Sequence, residues 1–314
     1  MSSTILVRSI PWILWLQQFS PGLDWPMGAI TQLGEATGIL LLISLLYWGL
    51  DRPLAVRMTL LFVLSLAVNT LAKELLGQPR PFELDPRVLR LDSASGGGLP
   101  SGHTQAAVVT WGLLALTHRR RWVMALCGAL LLLVPLSRLY LGMHFPTDLL
   151  GGYLLGALLL WGWWRWEPAA TRWLGERPRL TQLALTVLLP AALLLALGRA
   201  DRRALLGACL LVGAGLGYHL LWPPARQNSA GTLLQRLLRW LVGLGSTVPL
   251  ALLALSLPIG PLPVALLLML VGVWTTVGAP WLFVRLGLAS GRPLARRRAV
   301  RPRGGGRHDR HSGF

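Results

Sequence analysis

Three short stretches of the 314-residue chain carry residue types that do chemistry on phosphate. The first, Lys73-Glu74-Leu75-Leu76-Gly77-Gln78-Pro79-Arg80-Pro81, sets two cations on either side of a Gly and Pro break. The second, Gly96-Gly97-Gly98-Leu99-Pro100-Ser101-Gly102-His103-Thr104, brings a permissive glycine run to Ser101, Gly102 and the His103 imidazole. The third runs from Ser137 to Asp148 and offers Arg138, His144 and Asp148. Ammonium and guanidinium groups match phosphate oxygens in charge, and guanidinium also in geometry. Free N–H groups in the first turn of a helix bind the same anion. A carboxylate beside an imidazole orients it and stabilises the positive charge it acquires.

Taken singly, each stretch has a plainer explanation. Lys73 and Arg80 could be interfacial anchors whose stems lie along apolar surface. Ser101 could be only an N-cap, Gly96 to Gly98 only a flexible loop, and His144 with Asp148 an isolated structural pair. Together they supply what hydrolysis of a phosphate monoester or diphosphate needs: charge stabilisation, an aligned nucleophile and a proton for the leaving oxygen. Lys73, Arg80 and Arg138 would hold the equatorial oxygens with help from Ser101 and the Gly102 amide, while His144, oriented by Asp148, attacks in line. His103 would protonate the leaving group and then activate the water that cleaves phospho-His144. A metal site needs a third protein ligand and an open position, and so many cations suit a metal-free anion pocket better, so no metal or other cofactor is expected.

The elements that must position these residues are apolar. The chain is 54% hydrophobic and 13% charged, against roughly 25% charged in a soluble domain. Apolar runs of about 20 residues recur along it, at roughly 30 to 50, 57 to 76, 103 to 117, 121 to 138, 148 to 165, 180 to 198, 204 to 222, 240 to 258 and 264 to 287. The expected fold is therefore all-α, a polytopic transmembrane helical bundle of about nine spans. The opening run Ile10 to Leu16 is too short to cross and carries Trp12 and Trp15, so residues 1–27 read as an interfacial or re-entrant segment retained in the mature chain. Residues 28–200 contain all three stretches and form the expected catalytic core. Residues 201–288 add further spans, and 289–314 form a basic tail that reads as disordered. Cys127 and Cys209 lie inside apolar runs and read as small buried hydrophobes.

A net charge of +18 would suit nucleic acid. The basic residues instead sit between apolar spans, and the Arg- and Gly-rich tail lacks the aromatic interleaving of a stacking platform. No nucleic-acid partner is expected, although the tail suits anionic lipid headgroups. Nine crossings put the termini on opposite sides, with 20 basic residues on the side of the C-terminus and nine on the other, Arg285 falling within the last span. The positive-inside rule then puts the C-terminus in the cytoplasm and the three stretches on the opposite face. Arg199, Arg202 and Arg203 run against that trend, partly offset by Asp201. Of the 30 basic residues only Lys73 is a lysine.

Lys73 with Arg80-Pro81, then Pro100-Ser101-Gly102-His103, then Ser137-Arg138 with His144 and Asp148, resemble the three-part signature of the type 2 phosphatidic acid phosphatase (PAP2) superfamily. The resemblance covers roughly residues 28 to 166 with no signature residue missing. It implies a metal-independent phosphatase with His144 as nucleophile, a six-helix core, and a membrane lipid phosphate or diphosphate as substrate. In bacteria it implies an inner-membrane protein whose site faces the periplasm or exterior. The layout also resembles membrane glucose-6-phosphatases, so the leaving group stays open between lipid, isoprenyl phosphate and sugar, as does transfer to an acceptor other than water. A transporter is the alternative of a different class, but it needs a polar route through the midplane, where spans six to nine offer only His219 and Thr275-Thr276. Gly213-Ala214-Gly215 and Gly243-Leu244-Gly245 permit close helix contacts without fixing an oligomeric state.

Overall fold

A computed structural model describes residues 3–93, 96–196, 202–220 and 231–289, and among them the regular elements are helices, with no strand. In chain order they are α1 (Ser3–Gln17), α2 (Asp24–Gln32), α3 (Ala36–Leu45, prolonged by a π-helical turn Leu46–Leu50), α4 (Arg52–Leu76), α5 (Pro81–Leu84), α6 (Gly102–Thr117) and α7 (Arg121–Tyr140). They continue as α8 (Pro146–Gly175), α9 (Arg179–Ala196), α10 (Arg202–Leu220), α11 (Leu233–Ser256), α12 (Pro261–Val273) and α13 (Ala279–Arg285), the last two joined by a π-helical turn Trp274–Gly278. The tail expected to be disordered lies, apart from Ala289, outside the described residues.

Each of the nine apolar runs overlaps helix among the described residues, but not each helix is by itself long and apolar enough to cross a bilayer. Four stretches are: Arg52–Leu84, Arg121–Tyr140, Leu233–Ser256 and Pro261–Arg285. A fifth results if α2 and α3 with its π turn, which meet at 53°, count as one broken span. Helix α6 has 16 residues, about 24 Å at about 1.5 Å per residue against a hydrocarbon core of about 30 Å. The apolar parts of α9 and α10 are Arg179–Leu195 and Leu205–His219, also short. Helix α8 is long, but glycines, Asp148, Arg165 and Glu167 dilute its hydropathy.

Caps explain where the site-bearing helices start and stop. The Asp51 carboxylate accepts the Leu54 amide at 3.0 Å and starts α4 earlier than the apolar run suggests. Gly77, at φ 54°, closes the same helix in the left-handed conformation just past Lys73. Gly142, at φ 71°, turns the chain between α7 and α8, where a Cβ would collide with the Leu89 carbonyl.

The core around α3, α4 and α6 buries Ile39, Leu54, Met58, Leu61, Ala106 and Val109. Helix α8 lies close on α6 because Gly152 and Gly156 face it: a Cβ at Gly152 would stand 2.7 Å from the Ser101 carbonyl oxygen, and one at Gly156 2.7 Å from Val108 Cβ. That approach brings the first turn of α8, with Asp148, against the first turn of α6. Helix α1 closes the same end, packing Leu6, Ile10 and Ile13 on Val88 and Phe145. Its Gln17 amide donates to the Leu89 and Tyr140 carbonyls at 2.8 and 2.9 Å. At the other end α11 to α13 meet the core through buried Trp48, whose indole N–H donates to the Thr275 carbonyl at 3.1 Å. The outer faces carry Leu132, Leu154, Leu158 and Trp164, each more than half exposed. Apolar cover on this scale fits a lipid solvent.

Candidate active site

The structure brings the three stretches together at one end of the bundle. His144 sits in the turn between α7 and α8, 2% exposed, with Nδ1 3.3 Å from Asp148 Oδ2. Asp148 is fully buried in the first turn of α8. Its Oδ2 accepts the Phe145 amide at 2.9 Å, and its Oδ1 accepts the Gln78 side-chain amide at 2.5 Å. Gly98 runs directly over this carboxylate: a Cβ there would stand 3.0 Å from Asp148 Oδ2 and 3.1 Å from the Pro79 carbonyl oxygen. The glycine run thus permits close approach as well as flexibility.

The three cations converge from different helices. Lys73, in the last turn of α4, donates to the Gly97 carbonyl at 3.0 Å. Arg80 reaches the Gly96, Gly97 and Met143 carbonyls at 3.1, 3.2 and 2.9 Å, which ties the first stretch to the second and third. Arg138 ends α7 fully buried, with Nη1 2.9 Å from Thr31 Oγ1 and 2.5 Å from Asp92 Oδ2. Its Nε is buried and unpartnered.

Ser101 caps α6, its Oγ accepting the Thr104 amide at 3.4 Å and the Thr104 hydroxyl at 3.1 Å. Its own amide donates to the Asp148 carbonyl at 2.9 Å, so the N-cap and the site are one structure. Gly102 opens α6 against Asn69, whose Oδ1 would lie 3.0 Å from a Cβ. The His103 Nε2 is buried with no hydrogen-bond partner, within electrostatic reach of Arg138, Lys73 and Arg80. All eight residues expected from the sequence therefore share this end of the bundle. Among the described residues no three His, Cys, Asp or Glu side chains form a metal-ligand cluster.

Burial pushes the His144 imidazole well below the ordinary histidine pKa, and the charges of Arg138, Lys73, Arg80 and His103 push the same way. That direction favours the neutral ring, whose free lone pair is what a nucleophile needs. If neutral His144 attacks, the acid limb of kcat/KM, corrected for the second ionisation of the phosphate near pH 6, lies below pH 6.5. On the acid side, activity falls as pH drops through the lowered His144 value. A pH profile of kcat/KM checks this, and a limb at or above 6.5 contradicts it.

Sequence reasoning missed three partners. Gln78 holds Asp148, and the only local signal was a polar side chain between Gly77 and Pro79, where the chain must turn. Asp92 and Thr31 hold Arg138 from 46 and 107 residues away.

The bundle thus has apolar outer faces and gathers Lys73, Arg80, Arg138, His103 and His144 at one end. Residues 54–172 match the PAP2 superfamily, and residues 204–291 match the transmembrane extension of PAP2 superfamily phosphatases. Phosphatidylglycerophosphatase B of Bacillus subtilis is 32% identical over 152 residues, covering 44% of this chain and 72% of that protein. Sphingosine-1-phosphate phosphatase 2 of Mus musculus is 34% identical over 136 residues, 41% of this chain and 38% of that one. Undecaprenyl-diphosphatase of Sulfolobus acidocaldarius is 31% identical over 117 residues, 36% of this chain and 55% of that protein. The chain thus spans little more than a third of the length of the sphingosine phosphatases it matches. It belongs to the PAP2 superfamily.

Proposed function

We propose that the chain is an integral membrane phosphatase that hydrolyses a lipid phosphate or isoprenyl diphosphate, without a metal, through a phosphohistidine on His144. The observation that carries this is a buried His144 beside Asp148 and among Lys73, Arg80 and Arg138. The phosphoryl group would take the place of the carbonyl and Asp92 acceptors on these cations, and the Gly102 amide at the start of α6 would add a donor. His144 attacks phosphorus, Asp148 stabilises the imidazolium, and His103 protonates the departing oxygen. Water activated by His103 then cleaves the N–P bond. The relatives are named for lipids with a terminal phosphate or diphosphate, which supports a lipid leaving group.

In this proposal all nine helical runs cross the membrane. Helix α6 packs against α4, α7 and α8, and α10 against α9 and α12, which supports a reading in which the short helices share a layer with the long ones. Residues 28–200 are the catalytic core, 201–288 the extension, and 1–27 an interfacial cap. The charge bias favours a bacterial inner membrane protein with its site on the periplasmic or external face and its C-terminus in the cytoplasm.

The test is phosphate release by the purified chain in detergent and EDTA from lipid monophosphates, isoprenyl diphosphates and glucose 6-phosphate. Release from the lipid substrates is expected. Turnover of the sugar phosphate alone contradicts the lipid assignment, and activity that needs an added divalent cation contradicts the metal-free mechanism.

A further inference from the structure

A cavity of about 140 Å³ lies beside His103, between the α2–α3 bend and helices α4 and α6. Its lining includes Glu35, Phe62, Ser65, Asn69, Gly102 and His103, and Glu35 is the sole carboxylate among the residues that line it. The bend puts it there: Gly34 packs so closely that a Cβ would stand 3.1 Å from the His103 carbonyl oxygen. Glu35 is next in sequence, begins α3 in extended backbone, and makes no capping hydrogen bond with its side chain. It also lies within electrostatic reach of Arg138. The Asn69 and Ser65 side chains are already hydrogen-bonded to groups outside the lining. Asn69 donates to Gln105 Oε1 at 2.9 Å and to the Pro100 carbonyl at 3.3 Å, and Gln105 donates to Ser65 Oγ at 3.0 Å.

We propose that this cavity receives the leaving-group atoms next to the scissile oxygen, and that Glu35 makes it select leaving groups bearing a hydroxyl or ammonium. The proposal rests on the phosphatase reaction above, in which the P–O bond breaks, its electron pair stays on the leaving oxygen, and that oxygen takes the proton of His103. With a monoester of a glycerol-like or amino-alcohol lipid, the departing group is an alcohol whose neighbouring O–H or N–H can donate to Glu35. With an isoprenyl diphosphate, the departing group is itself a phosphate. Its negative charge would face the Glu35 carboxylate, and like charges brought together at a site discriminate against the ligand that brings them. The selected class is therefore lipid monophosphates with a polar backbone.

The test compares kcat/KM for sphingosine 1-phosphate and farnesyl diphosphate in the full chain in detergent, for wild type, Glu35→Gln and Glu35→Asp. Wild type is expected to favour the monophosphate. Glu35→Gln should lower the ratio by at least about tenfold, losing rate on the monophosphate and gaining it on the diphosphate, and Glu35→Asp should keep most of the preference. A wild type that favours the diphosphate overturns the proposal. So does a Glu35→Gln ratio equal to wild type, including a uniform loss on both substrates, which is what a merely structural glutamate would give. A wild type that hydrolyses neither substrate overturns the phosphatase activity itself, and the proposal with it.

Discussion

Replacing His144 by alanine is expected to lower phosphate release by at least about 10³-fold, because the loss of a nucleophile removes the covalent route and leaves only binding and charge stabilisation. The side chain is 2% exposed, so the variant also leaves a small cavity. Two measurements separate lost chemistry from lost structure. Vanadate, a phosphate mimic, should still protect His144→Ala against thermal unfolding, since Lys73, Arg80 and Arg138 are intact. Added imidazole should restore part of the rate, since it can enter the space and attack in place of the missing ring. Phosphate release within tenfold of wild type would remove His144 from the nucleophile's role.

Asp148→Asn should be nearly as damaging, about 10² to 10⁴-fold in kcat, and the reason lies in the lost negative charge beside the imidazole, since the shape hardly changes. The Asp148 carboxylate accepts from Gln78 on one oxygen and from the Phe145 amide on the other, the latter oxygen also facing His144 Nδ1. An asparagine has one oxygen. With that oxygen turned toward the Phe145 amide and the imidazole N–H, its NH₂ group faces Gln78, whose side-chain amide flips to accept from it, so the contacts survive and the negative charge is lost. The imidazolium formed on attack then lacks its counter-charge, so the loss should fall on rate, with thermal stability close to wild type. Gln78→Ala removes one of these partners and leaves the other two, so its effect on kcat should be smaller. If Asp148→Asn keeps wild-type kcat, the imidazole is positioned by something other than this carboxylate.

These residues were legible in the sequence because each sits where a helix begins or ends, and helix ends are marked by residue type. Gly77 and Pro79 announce the break after Lys73, Pro100-Ser101 the start of α6, and Gly142 with Pro146 the turn that carries His144. The nine helical runs were legible for a similar reason, since a long apolar stretch without charge has few other uses. What holds the site together was not legible. The Arg138 to Thr31 and Arg138 to Asp92 contacts join segments that meet only after the bundle forms, and an aspartate in a loop that also holds Asp85, Arg87 and Arg90 gives no sign of its partner. The bend between α2 and α3 was hidden too. Residues 30 to 50 read as one apolar run, whereas the chain bends around Gly34, which packs against the His103 backbone. Ser101 stood between two roles on sequence grounds. The structure gives its hydroxyl the N-cap of α6, and its backbone amide is already tied to the Asp148 carbonyl.

The central claim is that His144 carries the phosphoryl group. Mixing the purified chain with a lipid monophosphate in EDTA, quenching within one turnover in alkali, where phosphohistidine survives, and mapping the protein by mass spectrometry tests this most directly. The account predicts a phosphoryl group on the peptide containing His144, appearing and decaying at rates that match turnover and absent from His144→Ala. Full turnover with no adduct on His144, or with the adduct on His103, would contradict it.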